Sequence, residues 1–169
     1  MAQTPLTHVD PDGRSRMVDI GDKPVTRRTA RAEAWVEVSP QLAQAIRDNA
    51  LAKGSVLEVA RLAGIAAAKR TDELIPLCHS LPLDAVDVDL SLEAEGVRIE
   101  TRATTSWKTG VEMEALTAAS VAALTVIDMG KAVDKGVVVR SIRLLEKTGG
   151  RSGDWTAPPT SPPPDGAHG

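Results

Sequence analysis

Two alternating segments joined by a tight turn constrain the fold of this chain more than any other feature. Residues 86–93 alternate apolar side chains with acidic or hydroxyl side chains, and residues 97–103 repeat the alternation after Glu95-Gly96. A period of two predicts strands with one buried face, and the short connection predicts a β-hairpin. Residues 32–38 and 137–145 show strand patterns as well. We therefore expect a mostly antiparallel sheet.

Three helices are predicted between these strands. They span 39–54, 55–68 and 111–133. Ser39 is a good N-cap and Pro40 a good first helical residue, while Ser55 and Glu58 have the spacing of a capping box. The order strand, helix, helix, strand, strand, helix, strand predicts an α+β fold. We expect a ferredoxin-like arrangement, with the helices packed on one face of the sheet.

The core has to be built from small and aliphatic side chains. The 169 residues include three Trp but neither Phe nor Tyr. Small side chains let helices approach closely but bury little area each, which favours oligomerisation. We divide the chain into an irregular N-terminal segment (1–24), a catalytic domain (25–155) and a Pro/Gly-rich tail (156–169) that we expect to be disordered.

Charge and composition argue against several classes of partner. The formal net charge of −3 and the scarcity of aromatic residues argue against nucleic-acid binding. A single cysteine is compatible with a reducing cytoplasm and excludes an intrachain disulfide framework. No apolar run reaches about 18 residues and the N-terminus is polar, so we expect neither a membrane span nor a signal peptide.

Acidic and basic residues cluster at the start of the long predicted helix, where Lys108, Glu112 and Glu114 lie close in sequence. The simpler explanation is a favourable interaction of the acids with the helix dipole. The alternative is a site that holds and protonates a polar ligand. Two residues apart on a helix, the two glutamates point in different directions.

A second group of candidates lies further along the chain. Asp128 and Lys131 share a helix face, either as a surface ion pair worth about 0–1 kcal/mol or as a partly buried pair suited to proton transfer. Lys53, before Gly54, is either a favourable cation at a helix end or a catalytic group. Glu114 and Asp128 are separated by fourteen residues, or about 21 Å of helix. If both belong to one site, two subunits must share it.

Two loop segments are open to more than one interpretation. Cys78-His79 lies between Pro76 and Pro82 without the further ligands that zinc requires, and adjacent residues rarely form a nucleophile pair. His79 either makes a structural hydrogen bond or contacts a ligand. The segment 147–153 is either an anion cradle or a flexible junction before the tail.

The chain resembles the cyclic pyranopterin monophosphate synthases, the MoaC family of molybdenum cofactor biosynthesis. The motifs that carry this resemblance are Leu6-Thr7-His8, Met17-Val18-Asp19, Ala66–Thr71, Leu74–His79, Lys108–Ser120 and Leu144–Gly150. They are long and specific, and the similarity spans about residue 6 to Trp155. Departures are slight: Ser80 stands where Pro is common, and Gly130 precedes Lys131.

The resemblance implies a ferredoxin-like subunit assembled as a hexamer, a trimer of dimers, with sites at the dimer interfaces. It implies the substrate 3′,8-cyclo-7,8-dihydroguanosine 5′-triphosphate, a cyclised derivative of GTP. The products would be cyclic pyranopterin monophosphate and pyrophosphate. No cofactor, redox step or obligate metal is implied.

Site residues follow from the same resemblance. It implies catalytic roles for Asp128, Lys131 and Lys53. It implies substrate contacts from Leu77, Cys78, His79, Met113, Glu114, Asp19, Arg28, Glu112 and Lys147. The rival interpretations are a ligand-sensing module, which would tolerate changes of the lysines, and an RNA-binding domain of similar topology.

Overall fold

A five-stranded antiparallel sheet with helices on one face forms the protein. The computed structural model describes residues 12–151 and 153–159. Its elements are β1 (Thr26–Glu37), α1 (Pro40–Arg47), α2 (Val56–Ala68), α3 (Thr71–Leu74), β2 (Ala85–Leu92), β3 (Gly96–Trp107), α4 (Glu112–Gly130), β4 (Val138–Thr148) and β5 (Trp155–Thr156). The strand order is β2-β3-β1-β4-β5. Helical connections join β1 to β2 and β3 to β4, so the predicted α+β, ferredoxin-like fold is confirmed.

The sheet buries one face under α4 and α2. On β1 the side chains of Ala30, Ala32, Ala34 and Val36 are essentially inaccessible to solvent, as strand periodicity requires. The register of β1 against β3 places Ala34 opposite Ile99 on that same buried face. The intervening residues form an open face rich in Arg and Glu, where for example Arg143 pairs with Glu33 at 2.5 Å.

Small residues let α2 and α4 approach closely. A Cβ atom added at Gly64 of α2 would lie 3.0 Å from the carbonyl oxygen of Ala118 in α4. Ala115, Ala119 and Ala122 are likewise fully buried. The alanine-rich composition thus produces dense helix packing rather than a loose core.

The long helix α4 has a composition that resembles a membrane span. Among the described residues, it is the one helix long and apolar enough to cross a membrane, by length and composition alone. However, 56% of its 18-residue window is buried inside the protein. A core helix that packs against a sheet shows the same character, and α4 lies against β1, β3 and β4.

The first helix is shorter than predicted. It ends at Arg47, where Ala50 N–H donates to the carbonyl of Ala45 and Asn49 N–H to that of Ile46. This is a Schellman termination, and Asn49 takes the left-handed conformation it needs, with φ of +50°. The prediction that this helix ends at Gly54 was wrong, because Asn49 rather than a glycine takes the left-handed conformation that ends it. Lys53 therefore lies in a loop rather than at a helix end.

Other element boundaries differ from the sequence predictions. Ser39 caps α1 as expected, but Ser55 makes no side-chain capping bond, so the predicted capping box does not form. The predicted loop 71–82 begins with the short helix α3. Thr156 was predicted to lie in the tail, but it belongs to β5 and pairs with Glu146 of β4. Residues 1–11 of the N-terminal segment and 160–169 of the tail lie outside the described residues.

Candidate active site

Two adjoining cavities lie at the N-terminal end of α4. One has a volume of about 430 Å³ and the other of about 410 Å³. Lys23, Thr109, Gly110 and Glu112 line both. The two cavities are therefore adjacent and share part of their wall. We call them the basic cavity and the carboxylate cavity, after the side chains described below.

The basic cavity collects positive charge on a chain that is acidic overall. Its cationic lining residues are Lys23, Arg28, Lys108, Lys147 and Arg151. They come from the N-terminal segment, β1, the loop before α4, and β4 with its following loop. Among the described residues, Glu112 is the one carboxylate on its wall. Such a concentration of ammonium and guanidinium groups suits a polyanionic ligand.

Backbone carbonyls and glycines orient the guanidinium of Arg28. Its Nε donates to the carbonyl of Trp107 at 3.2 Å and its Nη2 to that of Lys108 at 3.5 Å. A Cβ atom at Gly150 would collide with the guanidinium, so only glycine leaves room for it there. Gly150 also has φ of +79°, which glycine tolerates best. Lys147, Gly149, Gly150 and Arg151 line the basic cavity, a position compatible with the anion-cradle interpretation.

A partly buried ion pair joins the helix start to the sheet. Lys147 Nζ of β4 donates to Glu112 Oε1 at 2.9 Å, and both side chains are about 30% exposed or less. Glu112 has room to fold back toward the loop because a Cβ atom at Gly110 would collide with its carboxylate. Glu112 lines both cavities, and Lys147 lines the basic cavity.

Glu114 is the most unusual carboxyl group in the site. It lies in the first turn of α4, is only 4% exposed, and lines the carboxylate cavity. Burial, with smaller contributions from Glu112 and Asp72, raises the pKa of Glu114 from 4.5 to about 7. A carboxyl group with such a pKa can both donate and accept a proton near neutral pH.

His79 fits both interpretations left open by the sequence. Its Nε2 lies 2.6 Å from the carbonyl oxygen of Val18. A carbonyl only accepts, so Nε2 carries the proton and Nδ1 is the nitrogen available to a ligand. The structural bond orients a ring that also lines the carboxylate cavity.

Cys78 does not have the properties of a nucleophile. It lines the carboxylate cavity beside His79. Burial, followed by the charges of Glu114 and Asp72, raises the pKa of the Cys78 thiol above its usual value. The thiol therefore stays protonated near neutral pH, whereas thiolates are the reactive form.

The remaining predicted contacts divide into lining and rim positions. Leu77 and Met113 line the carboxylate cavity. Asp19 lines neither cavity; its Oδ1 accepts the N–H of Gly21 at 2.8 Å and so shapes the turn after Ile20. The described residues contain no group of three or more His, Cys, Asp and Glu side chains suited to a metal ion.

The three predicted catalytic residues form a separate cluster at the other end of α4. Asp128 Oδ2 accepts from Lys53 Nζ at 2.7 Å, and its Oδ1 from Lys131 Nζ at 2.6 Å. Lys53 also donates to the carbonyl of Asp128 at 3.0 Å. These bonds lower the pKa of Asp128 from 3.8 to about 2, with Lys131 as the larger cause. The carboxylate therefore stays ionised and fixes both ammonium groups.

The lysine cluster is exposed, contrary to the expected partial burial. The side chains of Lys131 and Asp128 are 61% and 55% exposed. The apolar residues before them turn toward the core, while these two project from the opposite side of α4. Since Glu114 and Asp128 lie on one helix, about 21 Å separates the cluster from the cavities along its axis. A single chain brings together only part of the predicted site.

Several further lining residues of the basic cavity were not among the predicted contacts. Lys23, Thr26 and Arg151 are three of them. The Thr26 Oγ1 is buried without a hydrogen-bond partner in the part of the chain that the structure describes. In the sequence, the one feature that pointed to Arg151 was the group of glycines around it. Lys23 lies in an irregular segment, where no periodicity marks a functional position.

Comparisons with known proteins agree on one family. Residues 17–150 match the model of the MoaC family. A cyclic pyranopterin monophosphate synthase of Streptomyces avermitilis is 56% identical over 155 residues, covering 92% of this chain and 91% of that protein. The synthase of Streptomyces coelicolor is 54% identical, covering 91% of each chain. That of Thermomicrobium roseum is 56% identical, covering 89% of this chain and 92% of its own.

Proposed function

Because this chain belongs to the MoaC family and is a lyase of molybdenum cofactor biosynthesis, we propose that it converts 3′,8-cyclo-7,8-dihydroguanosine 5′-triphosphate to cyclic pyranopterin monophosphate and pyrophosphate. The proposal is supported most directly by the adjoining cavities at the start of α4. One is suited to a chain of phosphates and the other to a heterocycle with exchangeable protons. We further propose that it acts in the cytoplasm.

The triphosphate occupies the basic cavity in this proposal. Arg28 and Lys147 contact phosphate oxygens, together with the other cations of the wall. Formation of the cyclic phosphate joins a hydroxyl oxygen of the ribose-derived unit to the α-phosphorus and breaks the bond to the β-phosphate oxygen. Cationic side chains stabilise the charge that develops on the departing pyrophosphate.

The base and ribose occupy the carboxylate cavity. His79 and Glu114 lie on its wall and have a ring nitrogen and a carboxyl group suited to exchange protons with them. Opening the purine ring and closing the pterin ring is a series of proton transfers. Lys53 and Lys131 act as proton donors and acceptors at the ring, and Asp128 orients them.

A second copy of the chain completes the site, within a hexamer built as a trimer of dimers. About 21 Å separates the lysine cluster from the cavities of the same chain, so one small ligand cannot contact both. Leu124 is 59% exposed and lies four residues before Asp128, on the same face of α4. Leu62 of the neighbouring α2 is 58% exposed. A partner that covers these apolar side chains would bring its own cavities to the lysines.

Product analysis tests the proposal directly. Purified protein is mixed with the cyclised nucleotide, and pterin and pyrophosphate are quantified. We expect Lys131→Ala to lower turnover by about 10²–10⁴-fold, the usual contribution of a general acid or base. Arg47→Ala is the matched control, since it removes an exposed cation of α1 whose contact is with Gln44. A folded Lys131→Ala protein with near-normal turnover would contradict the proposed role.

A further inference from the structure

The segment after α4 contains a carboxylate that connects two distant parts of the chain. Asp134 Oδ2 accepts the backbone N–H of Ser39 at 2.8 Å, and its Oδ1 accepts the N–H of Gly136 at 2.7 Å. Ser39 precedes the first residue of α1 and lies 95 positions away in sequence. The side chain of Asp134 thus fixes the start of α1 against the turn that follows α4.

A hydrophobic contact beside this carboxylate joins the same two helices. Leu42 of α1 is fully buried, and a Cβ atom at Gly130 would lie 2.6 Å from its Cδ2. Ser39 Oγ accepts the N–H of Leu42 at 3.3 Å, so the residue bound by Asp134 also caps the helix that carries Leu42. Asp134 and Leu42 together set the position of α1 relative to the end of α4.

This position determines how the lysine cluster is assembled. Lys53 lies in the loop after α1, whereas Asp128 belongs to the last turn of α4 and Lys131 is the residue that caps its C-terminus. Asp134 N–H donates to the Gly130 carbonyl at 3.0 Å, which joins it to the same turn as Lys131. A shift of α1 against α4 would therefore separate Lys53 from Asp128.

We propose that Asp134 is a positioning residue of the lysine cluster, acting through the Ser39 N–H to hold Lys53 on the carboxylate that also binds Lys131. The inference rests on the proposed function. Asp134 does not touch the substrate in this account. Its loss affects turnover because misplacing a reacting group by about 1 Å costs up to about 10²-fold in rate.

Paired variants at Ser39 and Asp134 isolate the contact. Ser39 has φ of −66°, the value of a proline ring, so Ser39→Pro removes the N–H with little backbone change. Ser39→Ala keeps the N–H and removes only the hydroxyl cap. We expect Asp134→Ala and Ser39→Pro to lower kcat about 10-fold or more with KM within about 3-fold. Asp134→Asn keeps one acceptor oxygen, so its kcat should lie between those of these two variants and that of the wild type.

A second measurement distinguishes positioning from loss of stability. In the wild type the Asp128 carboxylate should remain ionised at about pH 4, because the lysine bonds lower its pKa to about 2. In Asp134→Ala and Ser39→Pro the ¹³C signal of this carboxyl group, assigned with Asp128→Asn, should titrate at a higher pH than in the wild type, because the bond from Lys53 is lost while that from Lys131 remains. Ser39→Ala should change neither kcat nor the carboxyl signal. Asp48→Asn, which alters a carboxylate bonded to Gln44, should also leave both unchanged.

Two results would overturn the inference. One is an unchanged kcat and carboxyl signal in Asp134→Ala and Ser39→Pro; the other is a kcat loss that only follows the folded fraction in thermal unfolding. If the wild type itself forms no product, the proposed function fails. The carboxyl signal still tests the role of Asp134 in that case.

Discussion

At residue scale, the proposed chemistry depends on two carboxyl groups of one helix whose pKa values are shifted in opposite directions by their surroundings. Glu114 is buried at the start of α4, and its pKa rises to about 7. Asp128 is exposed at the end, and two ammonium groups lower its pKa to about 2. Near neutral pH the first is therefore ready to exchange a proton and the second stays a fixed anion.

The raised pKa of Glu114 predicts a pH-dependent cost to stability. Below its unfolded value of 4.5 the carboxyl is neutral in both states, so Glu114→Gln should have little effect. Between pH 4.5 and about pH 7 the Glu114 carboxyl releases its proton only in the unfolded state, so wild-type stability falls as pH rises. We expect Glu114→Gln to be more stable than the wild type by about 1–3 kcal/mol at pH 8.

Urea unfolding at pH 5 and pH 8, at one protein concentration, measures this effect. Glu95→Gln, at an exposed position of the turn between β2 and β3, is the control and should show no such pH dependence. Equal stabilities of Glu114→Gln and wild type at both pH values would contradict the prediction.

At the scale of elements, close contact between α2 and α4 determines where both ends of α4 lie. Gly64 faces the Ala118 carbonyl at 3.0 Å and the Val88 methyl groups at 3.2 and 3.3 Å, measured from an added Cβ atom. Backbone atoms and buried side chains cannot move aside to relieve such a close contact, whereas an exposed side chain can. The glycine is therefore needed for the helix distance, although glycine is a poor helix former.

Opposite substitutions on α2 test this interpretation. Gly64→Ala should lower the free energy of unfolding by about 1–3 kcal/mol, since overpacking outweighs the gain in helix propensity. Ala66→Gly, at an exposed position of α2, should cost about 1 kcal/mol through propensity alone. Chemical denaturation measures both. A stabilised Gly64→Ala protein would show that α2 and α4 separate without penalty.

At the scale of the whole molecule, the proposed site is divided between the two ends of one helix. The cavities lie at the start of α4 and the lysine cluster at its end, and exposed Leu124 and Leu62 lie on the helical side. In a two-fold pair, the same surface on both copies makes the contact. Such a pair would contain two complete sites, each built from both chains.

Co-expression of two inactive variants tests whether sites are shared. His79→Ala removes a group at the cavities and Lys131→Ala one at the cluster. In a mixed pair, one site carries both defects and the other carries none. Random pairing makes half of the pairs mixed, so about a quarter of all sites should be intact. Turnover by the co-expressed chains, purified together through a tag that both carry, measures this recovery. Activity no greater than that of the separate variants would contradict a shared site.

Local patterns in the sequence were sufficient for the four long strands, the order of the longer elements and the ferredoxin-like class, because alternation and helical spacing act over a few residues. The short α3 and β5 were missed. The family motifs also pointed to most of the cavity lining, from Leu77 to Met113. Helix ends were less predictable: Asn49 terminates α1 where Gly54 was expected. The exposure of Lys131 was missed, since apolar neighbours in sequence do not define which helix face is covered.

What the sequence determined alone is thus the set of elements and the chemical groups available to them. Only the tertiary structure decided that Glu114 is buried, that Lys23 reaches the cavity, and that Lys53 meets Asp128 from 75 positions away. The physical reason is that pKa values and ion pairs depend on desolvation and distance. Both are set by packing between elements remote in sequence rather than by neighbours along the chain.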